Sequence, residues 1–464
     1  KKALVTSHGT DMYAPCASQP KLREVLAGWL VDFAKDEQVR DICCWLGELS
    51  QTCECEECTK AGQFVAETKA FVEAWKIARK QVPDLHIRIL LTQGSYTTNE
   101  QVLAVIPPEI GVTYYDGGRT YDSSKEPMIY PLLEDFSVEQ GRWLGVYPQL
   151  TPSWRIVSPW SAPQFVKARM TEFHGKKLRC LIGYVVPDNL LYDFNVTAAA
   201  EWSWNANGRD EREFAIAWAT QNRLKQPERV ADWAMITGAI GWDFYGARGV
   251  ERHFRRPRSI AALLKSRAPI PYGDGIFRYI PDQKHLQRNH AQSLEAVRLA
   301  QLTGTSGMVG ESKALETYYR MLVALADMTQ LLADNPIVDV DQRATLQRQL
   351  NQFVLAGMEN MAALEDWERA VGKGAGTGRF RDGVEATADT VAAVCAALAQ
   401  FGARQPEAYG RNIQVGDWKS EDFRESKDRK ETIDITRWVQ SPGAFLVTFQ
   451  YTSGWNGGTS LRAA

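Results

Sequence analysis

No stretch of the chain approaches the run of ~20 apolar residues that crosses a bilayer as a helix. Charge of one sign is also scarce. The sequence carries 54 Lys and Arg against 56 Asp and Glu, a net charge of −2. So balanced a chain has no general attraction to nucleic acid or to an anionic membrane. No strand-like run is followed by a glycine-rich phosphate loop of the dinucleotide type. No repeat period is evident. No signal peptide is visible either. The chain starts Lys1-Lys2-Ala3-Leu4-Val5-Thr6-Ser7, strand-like at once and without Met, and reads as a piece cut from a longer polypeptide. An N-terminal remainder of the same polypeptide is therefore an expected partner, and export is a question for residues before Lys1.

What is present is ordinary globular material. The 464 residues are 44% hydrophobic and 24% charged, enough for two or three domains with sizeable cores. Six strand-like runs occupy residues 3–7, 42–46, 87–91, 112–115, 144–147 and 180–186. Amphipathic helical patterns at 21–35 and 62–80 lie between the first three. The second places Phe64, Val65, Phe71, Val72, Trp75 and Ala78 near one face, and Pro83-Asp84 stops it. Strands alternating with helices predict βαβ units and a parallel sheet. Each strand ends in small or polar residues, the texture of the catalytic rim of a (β/α)8 TIM-type barrel. An open doubly wound sheet is the alternative. Residues 1–250 form this barrel unit and 251–284 a basic, Pro/Gly-rich linker. Residues 285–405 follow as an α-helical domain of three or four long helices, split near 303–310, 335–339 and 372–378. Residues 406–464 read as the start of a β-sandwich.

The stretch from Asp41 to Cys58 concentrates the chemistry. A short apolar run of buried-strand type ends in Gly47-Glu48, an acid at a strand tip. Then comes Cys53-Glu54-Cys55-Glu56-Glu57-Cys58. These three thiols and Cys16 follow neighbouring strands, so they are expected to meet in space. A four-cysteine zinc site, two disulfides and free thiols are the three readings. The other four cysteines, Cys43, Cys44, Cys180 and Cys395, read as buried free thiols.

Cys16-Ala17-Ser18-Gln19-Pro20, Gly47-Glu48 and the Cys-x-Cys-x-x-Cys element together resemble a glycoside-hydrolase-like group. Its members carry a Cys-x-x-x-Pro element and a later acid followed by Cys-x-Cys-x-x-Cys. The group includes the family 163 endo-β-N-acetylglucosaminidases and lies near the α-glucuronidases and β-hexosaminidases. The similarity runs from about residue 3 to about residue 246, and includes Ala200-Glu201-Trp202-Ser203-Trp204-Asn205 and Trp242-Asp243-Phe244-Tyr245-Gly246. The resemblance implies that the acidic motif follows the fourth barrel strand, so that the first two strands are missing from this sequence. It implies a glycoside hydrolase acting on a glycan that contains N-acetylhexosamine or uronic acid, in an extracellular or periplasmic location. The chain departs from the pattern in one respect. Many relatives have Asn-Asp or a comparable polar pair at the tip, and hexosaminidases use two adjacent acids, whereas Gly47-Glu48 offers one.

Within that reading Glu48 is the candidate general acid, its proton held by apolar surroundings at Trp45 and Leu46. Asp116 is the candidate second carboxylate, two strands along. His8, Gln93 and Asp188 are rim polar groups placed to touch substrate. Tyr115, Tyr147, Trp154, Trp160 and Tyr184, at or just beyond strand ends, are candidate platforms for the C–H faces of sugar rings, whereas Trp202 and Trp204 read as core. The basic run Arg248, Arg252, His253, Arg255, Arg256 and Arg258 reads as a solvated helix end. A non-catalytic carbohydrate-binding protein is the second functional reading, and an interaction scaffold built on the helical domain the third.

Overall fold

The computed structural model describes residues 15–48, 52–115, 124–151, 156–157, 160–185, 192–303, 305–335, 338–371, 378–403 and 434. Its first unit alternates strands and helices. In chain order these are α1 (Pro20–Phe33), β1 (Asp41–Trp45), α2 (Glu56–Ala61), α3 (Gln63–Ala78), β2 (His86–Leu91), α4 (Asn99–Leu103), β3 (Gly111–Tyr114), α5 (Pro131–Glu134), β4 (Leu144–Val146), α6 (Pro163–Gly175) and β5 (Cys180–Leu181). The strands form one parallel sheet in the order β1-β2-β3-β4-β5, each beside its successor in sequence. A further parallel bridge joins Gln149 to Tyr184. The expected alternation and parallel pairing are present. Among the described residues the sheet has five strands, and the expected strand at 3–7 lies outside them. The expected β-sandwich at 406–464 lies outside them too, apart from residue 434.

The pleat sorts side chains to two faces. Cys44, Ile87, Ile89, Leu91, Val112, Tyr114, Leu144 and Val146 enter the main core with the helices. Cys43, Leu90, Tyr115, Tyr147 and Tyr184 gather on the opposite face. On the helix side, α1 buries Leu22, Leu26, Ala27 and Leu30, and α3 buries Phe64, Val65, Val72, Trp75 and Ala78. Phe71 is half-buried. Gly62, with φ +82°, closes α2 through its N–H to the Cys58 carbonyl and starts α3, a backbone conformation that favours glycine.

The α-helices that follow the sheet are α7 (Asp193–Trp204), α8 (Glu211–Gln221), α9 (Pro227–Gly246), α10 (Pro257–Ser266), α11 (Gln283–Thr303), α12 (Ser306–Asp334), α13 (Val340–Val371) and α14 (Arg379–Ala399). The segment read as a linker thus contains α10, and α11 to α14 break where the sequence placed the breaks. Trp202 is buried as expected. Trp204, expected in the core with it, is 92% exposed, because it ends α7 and turns away from the packed side.

Buried polar groups fasten the helical layer to the sheet layer. Asn195 on α7 donates to the Leu150 and Trp160 carbonyls and accepts from the Ala162 N–H. Glu311 on α12 accepts from the Ser161 N–H at 2.7 Å and the Ser161 hydroxyl at 2.9 Å. Between helices of the helical layer, Trp233 on α9 donates to Ser312 on α12 at 2.7 Å. Within the helical layer Asn360 on α13 bridges α12 and α14, donating to Ala314 O and Thr317 Oγ1 and accepting from Thr387. Gly310 lets α12 approach α13, since a Cβ there would lie 2.6 Å from Trp367.

Burial pushes the Glu311 carboxyl up to about 7, against the pull of the Ser161 donors. A raised carboxyl keeps its proton in the folded chain after the unfolded chain has lost it. Stability therefore falls as pH rises from about 4.5 to about 7 and is level above that. Glu311→Gln keeps an acceptor for Ser161 and removes the titration. It is expected to be more stable than the wild type at pH 8 by about 1–3 kcal/mol, with the gap closing near pH 5. Urea midpoints at the two pH values check this, and equal gaps at both would contradict it.

Candidate functional site

The C-terminal edge of the sheet is built by how β1 leaves the ladder. The Leu46 N–H still donates to Leu90 O at 3.3 Å. One residue on, the Gly47 N–H donates instead to Glu67 Oε2 at 3.0 Å. The Thr92 hydroxyl donates to the Gly47 carbonyl, tying the tips of β1 and β2 together. Both Gly47 backbone groups are thus held immediately before Glu48.

Glu67 lies in the buried face of α3 and its carboxyl is raised by burial, with the Gln63 and Gly47 donors pulling the other way. Gln63 donates from Nε2 to Glu67 Oε1 at 2.7 Å and to the Pro15 carbonyl at 2.9 Å. Its Oε1 accepts from the Cys53 N–H at 2.8 Å. One buried amide and one buried acid therefore connect the Cys16 segment, the Cys53 segment and the tip of β1. Sequence reading missed this pair. The signal was a Gln and a Glu four residues apart, inside a helix face that apart from Thr68 is otherwise apolar.

Four aromatic rings meet on the face of the sheet opposite the main core. Trp45 and Tyr115 have ring centroids 5.7 Å apart, Tyr115 and Tyr147 6.3 Å, and Tyr115 and Tyr184 6.1 Å. Trp45 meets Tyr147 edge-on at 6.4 Å. Tyr115 is buried, Tyr147 and Tyr184 are half-buried, and Trp45 is 46% exposed. Burial, with Cys43 beside it, raises the Tyr147 phenol above its ordinary range, so it stays protonated. Three of these rings were predicted as platforms. Trp45, the most accessible, was read only as a neighbour of Glu48.

The other predicted residues fall as follows. Glu48 is exposed, so the apolar enclosure expected for it is not seen. Leu46 turns into the helix-packed core and Trp45 onto the opposite face, so neither encloses the acid. Gln93 is half-buried just past β2. Trp160 is buried between Phe165 and Tyr245 and forms part of the core, not a platform. His8, Asp116, Trp154 and Asp188 lie outside the described residues.

The cysteines converge. Sulfurs of Cys16, Cys53, Cys55 and Cys58 all lie within 4.8 Å of one another, and those of Cys16 and Cys55 are 3.8 Å apart. Cys16, Cys53 and Cys58 are buried, and no disulfide joins any two of the four. Hydrogen bonds from Ser18 and the Cys58 N–H bring the Cys55 thiol down to about 6. Of the other four, Cys44 is buried, whereas Cys43, Cys180 and Cys395 are half-buried.

No family model matches the chain, and no curated protein matches it. Among solved structures, a GH138 enzyme targeting pectin rhamnogalacturonan II matches with a TM-score of 0.55 and 10% sequence identity. The match covers 80% of this chain and 51% of that one, so this chain spans about half the length of that structure. At this identity the likeness is one of fold.

Removing the acid that holds the tip should be costly only where its acceptor is lost. Glu67→Leu leaves the Gly47 N–H without a partner and is expected to lower stability by about 1–3 kcal/mol, whereas Glu67→Gln keeps an acceptor and should stay within about 1 kcal/mol of wild type. Denaturant midpoints compare the two. Equal losses would show that the hydrogen bond does not hold the tip.

Proposed function

We propose that the chain is a glycoside hydrolase working at the C-terminal edge of its parallel sheet, with Glu48 as general acid. The observation that carries this reading is the wall formed by Trp45, Tyr115, Tyr147 and Tyr184 beside the tip of β1. Three residues past the end of that strand at Trp45 comes a carboxylate, Glu48, whose preceding residue is clamped on both backbone groups. Sugar rings present C–H faces that pack on aromatic planes, while phenol and indole edges stay available for hydroxyl groups. A glycan seated on the wall would displace water from Glu48 and provide the shielding that the uncovered tip does not have. The fold likeness to a GH138 enzyme supports the reading.

The finer assignments are part of the same proposal. Closure of the sheet as a (β/α)8 barrel would place Asp116, which directly follows Tyr115, at the same rim as the second carboxylate. A separation of roughly 6.5–9.5 Å from Glu48 would mean inversion, and roughly 5 Å retention. Gln93 and the rim residues His8, Asp188 and Trp154 would complete the contacts. A glycan containing N-acetylhexosamine or uronic acid is the substrate class that the family resemblance favours, and an extracellular or periplasmic setting goes with it.

The test is a panel of N-glycans and aryl glycosides. Glu48→Gln should lower kcat by about 100-fold or more on natural linkages, and much less on activated aryl substrates, whose leaving groups need no proton. Trp45→Ala should weaken glycan binding by about 10-fold with kcat less affected. Wild-type rates for Glu48→Gln on every substrate would remove Glu48 from the mechanism. Glycan binding that depends on Trp45 without any turnover would make the chain a carbohydrate-binding protein instead.

A further inference from the structure

We propose that Cys16, Cys53, Cys55 and Cys58 hold one structural zinc ion, and that this ion fixes the tip of β1 through Gln63 and Glu67. The inference is independent of the role given to Glu48. It starts from distance. Four thiolates at about 2.3 Å from a zinc ion in a tetrahedron have sulfurs about 3.8 Å apart. The sulfurs of Cys16 and Cys55 stand at 3.8 Å, and every pair in the group falls within 4.8 Å. A disulfide needs about 2.05 Å, and two of them would split the cluster into two close pairs. The arrangement is one group of four.

The donors around the sulfurs agree. The Ser18 hydroxyl lies 3.2 Å from Cys16 Sγ and 3.5 Å from Cys55 Sγ, and the Cys58 N–H donates to Cys55 Sγ at 3.4 Å. With the sulfurs as thiolates, the Cys58 N–H donates to Cys55 and the single Ser18 hydroxyl proton can go to one of its two sulfur neighbours; such outer partners orient metal-bound thiolates and spread their charge. Three of the four cysteines are buried. Soft thiolates in a closed set of four select zinc over the hard cations, and a set with no open position makes the site structural. Each thiol that binds as thiolate releases its proton to solvent.

The site reaches the sheet through hydrogen bonds already described. The Cys53 N–H and the Pro15 carbonyl, each beside or at a ligand, both bond Gln63, which bonds Glu67, which holds Gly47. Fixing Cys16 and Cys53 on one ion therefore fixes the two segments that Gln63 reads, and with them the residue before Glu48.

The experiment uses the full chain purified without chelator or reductant. Elemental analysis should find about one zinc per chain. Thiol titration in denaturant with chelator should find all 8 cysteines reactive. Cobalt added to metal-free protein should give the absorption of a tetrahedral tetrathiolate. Cys53→Ser and Cys58→Ser should lose most of the zinc, while Cys395→Ser keeps it. The cobalt experiment on the wild type stands in if those variants do not fold. Amide exchange at Gly47 should quicken when zinc is removed. A metal-free protein with four cysteines blocked as disulfides would overturn the site. So would a fully reduced protein that takes up neither added zinc nor added cobalt. Unchanged exchange at Gly47 in the metal-free protein would overturn the link to β1. None of these readouts depends on hydrolysis.

Discussion

A parallel strand must stop somewhere, and where it stops its backbone groups lose the neighbours that satisfied them. At the end of β1 the replacement is the Glu67 carboxyl group, set in the buried face of α3. Burying a carboxyl is unfavourable unless it is hydrogen-bonded, and Gln63 and Gly47 supply those bonds. The arrangement aligns the Pro15, Gly47 and Cys53 segments, because each gives Gln63 or Glu67 a backbone group to bond. The exposed Glu48 next to it owes its position to a residue that is itself buried.

The sheet and the helical layer meet in the same manner. Asn195 fastens the connection after β4, and Glu311 fastens Ser161 in that connection to α12. Asp243 on α9 accepts from Lys125, from His285 at 2.8 Å and from Asn289 at 2.8 Å, joining the segment after β3 to α11. One continuous apolar core runs through both layers. Directional polar contacts within that core specify which helix meets which loop, a choice that apolar packing leaves loose.

How much of this was legible follows from which signals are local. Strands such as Ile87 to Leu91 and the four long helices stand out because burial on one or both faces writes a period or an apolar run into the sequence. The cysteine cluster was legible too, since tight spacing and adjacent loops predict convergence. Glu67, Glu311 and Asn195 were not, because a buried acid or amide in a helix has the same letter as a solvated one and its partner is distant in sequence. The aromatic wall was half legible. Tyr115, Tyr147 and Tyr184 continue their strands, so their side is set by the pleat. Trp160 lies in a connection with no such period, and the structure turns it into the core.

The order of the strands has a consequence for how the chain is made. Among the described residues every strand pairs with the next in sequence, and no strand partners there are further apart along the chain than those of β1 and β2, such as Asp41 and His86. Closing loops of that length costs little extra entropy with each addition, because the cost grows only with the logarithm of length. A nascent chain leaving the ribosome can therefore add one strand and its helix at a time, each onto an edge already formed, without waiting for its C-terminal helices. The growing edge moves forward with synthesis, while among the described residues β1 stays as the other edge of the sheet, so the two strands open to wrong pairing are the first and the newest.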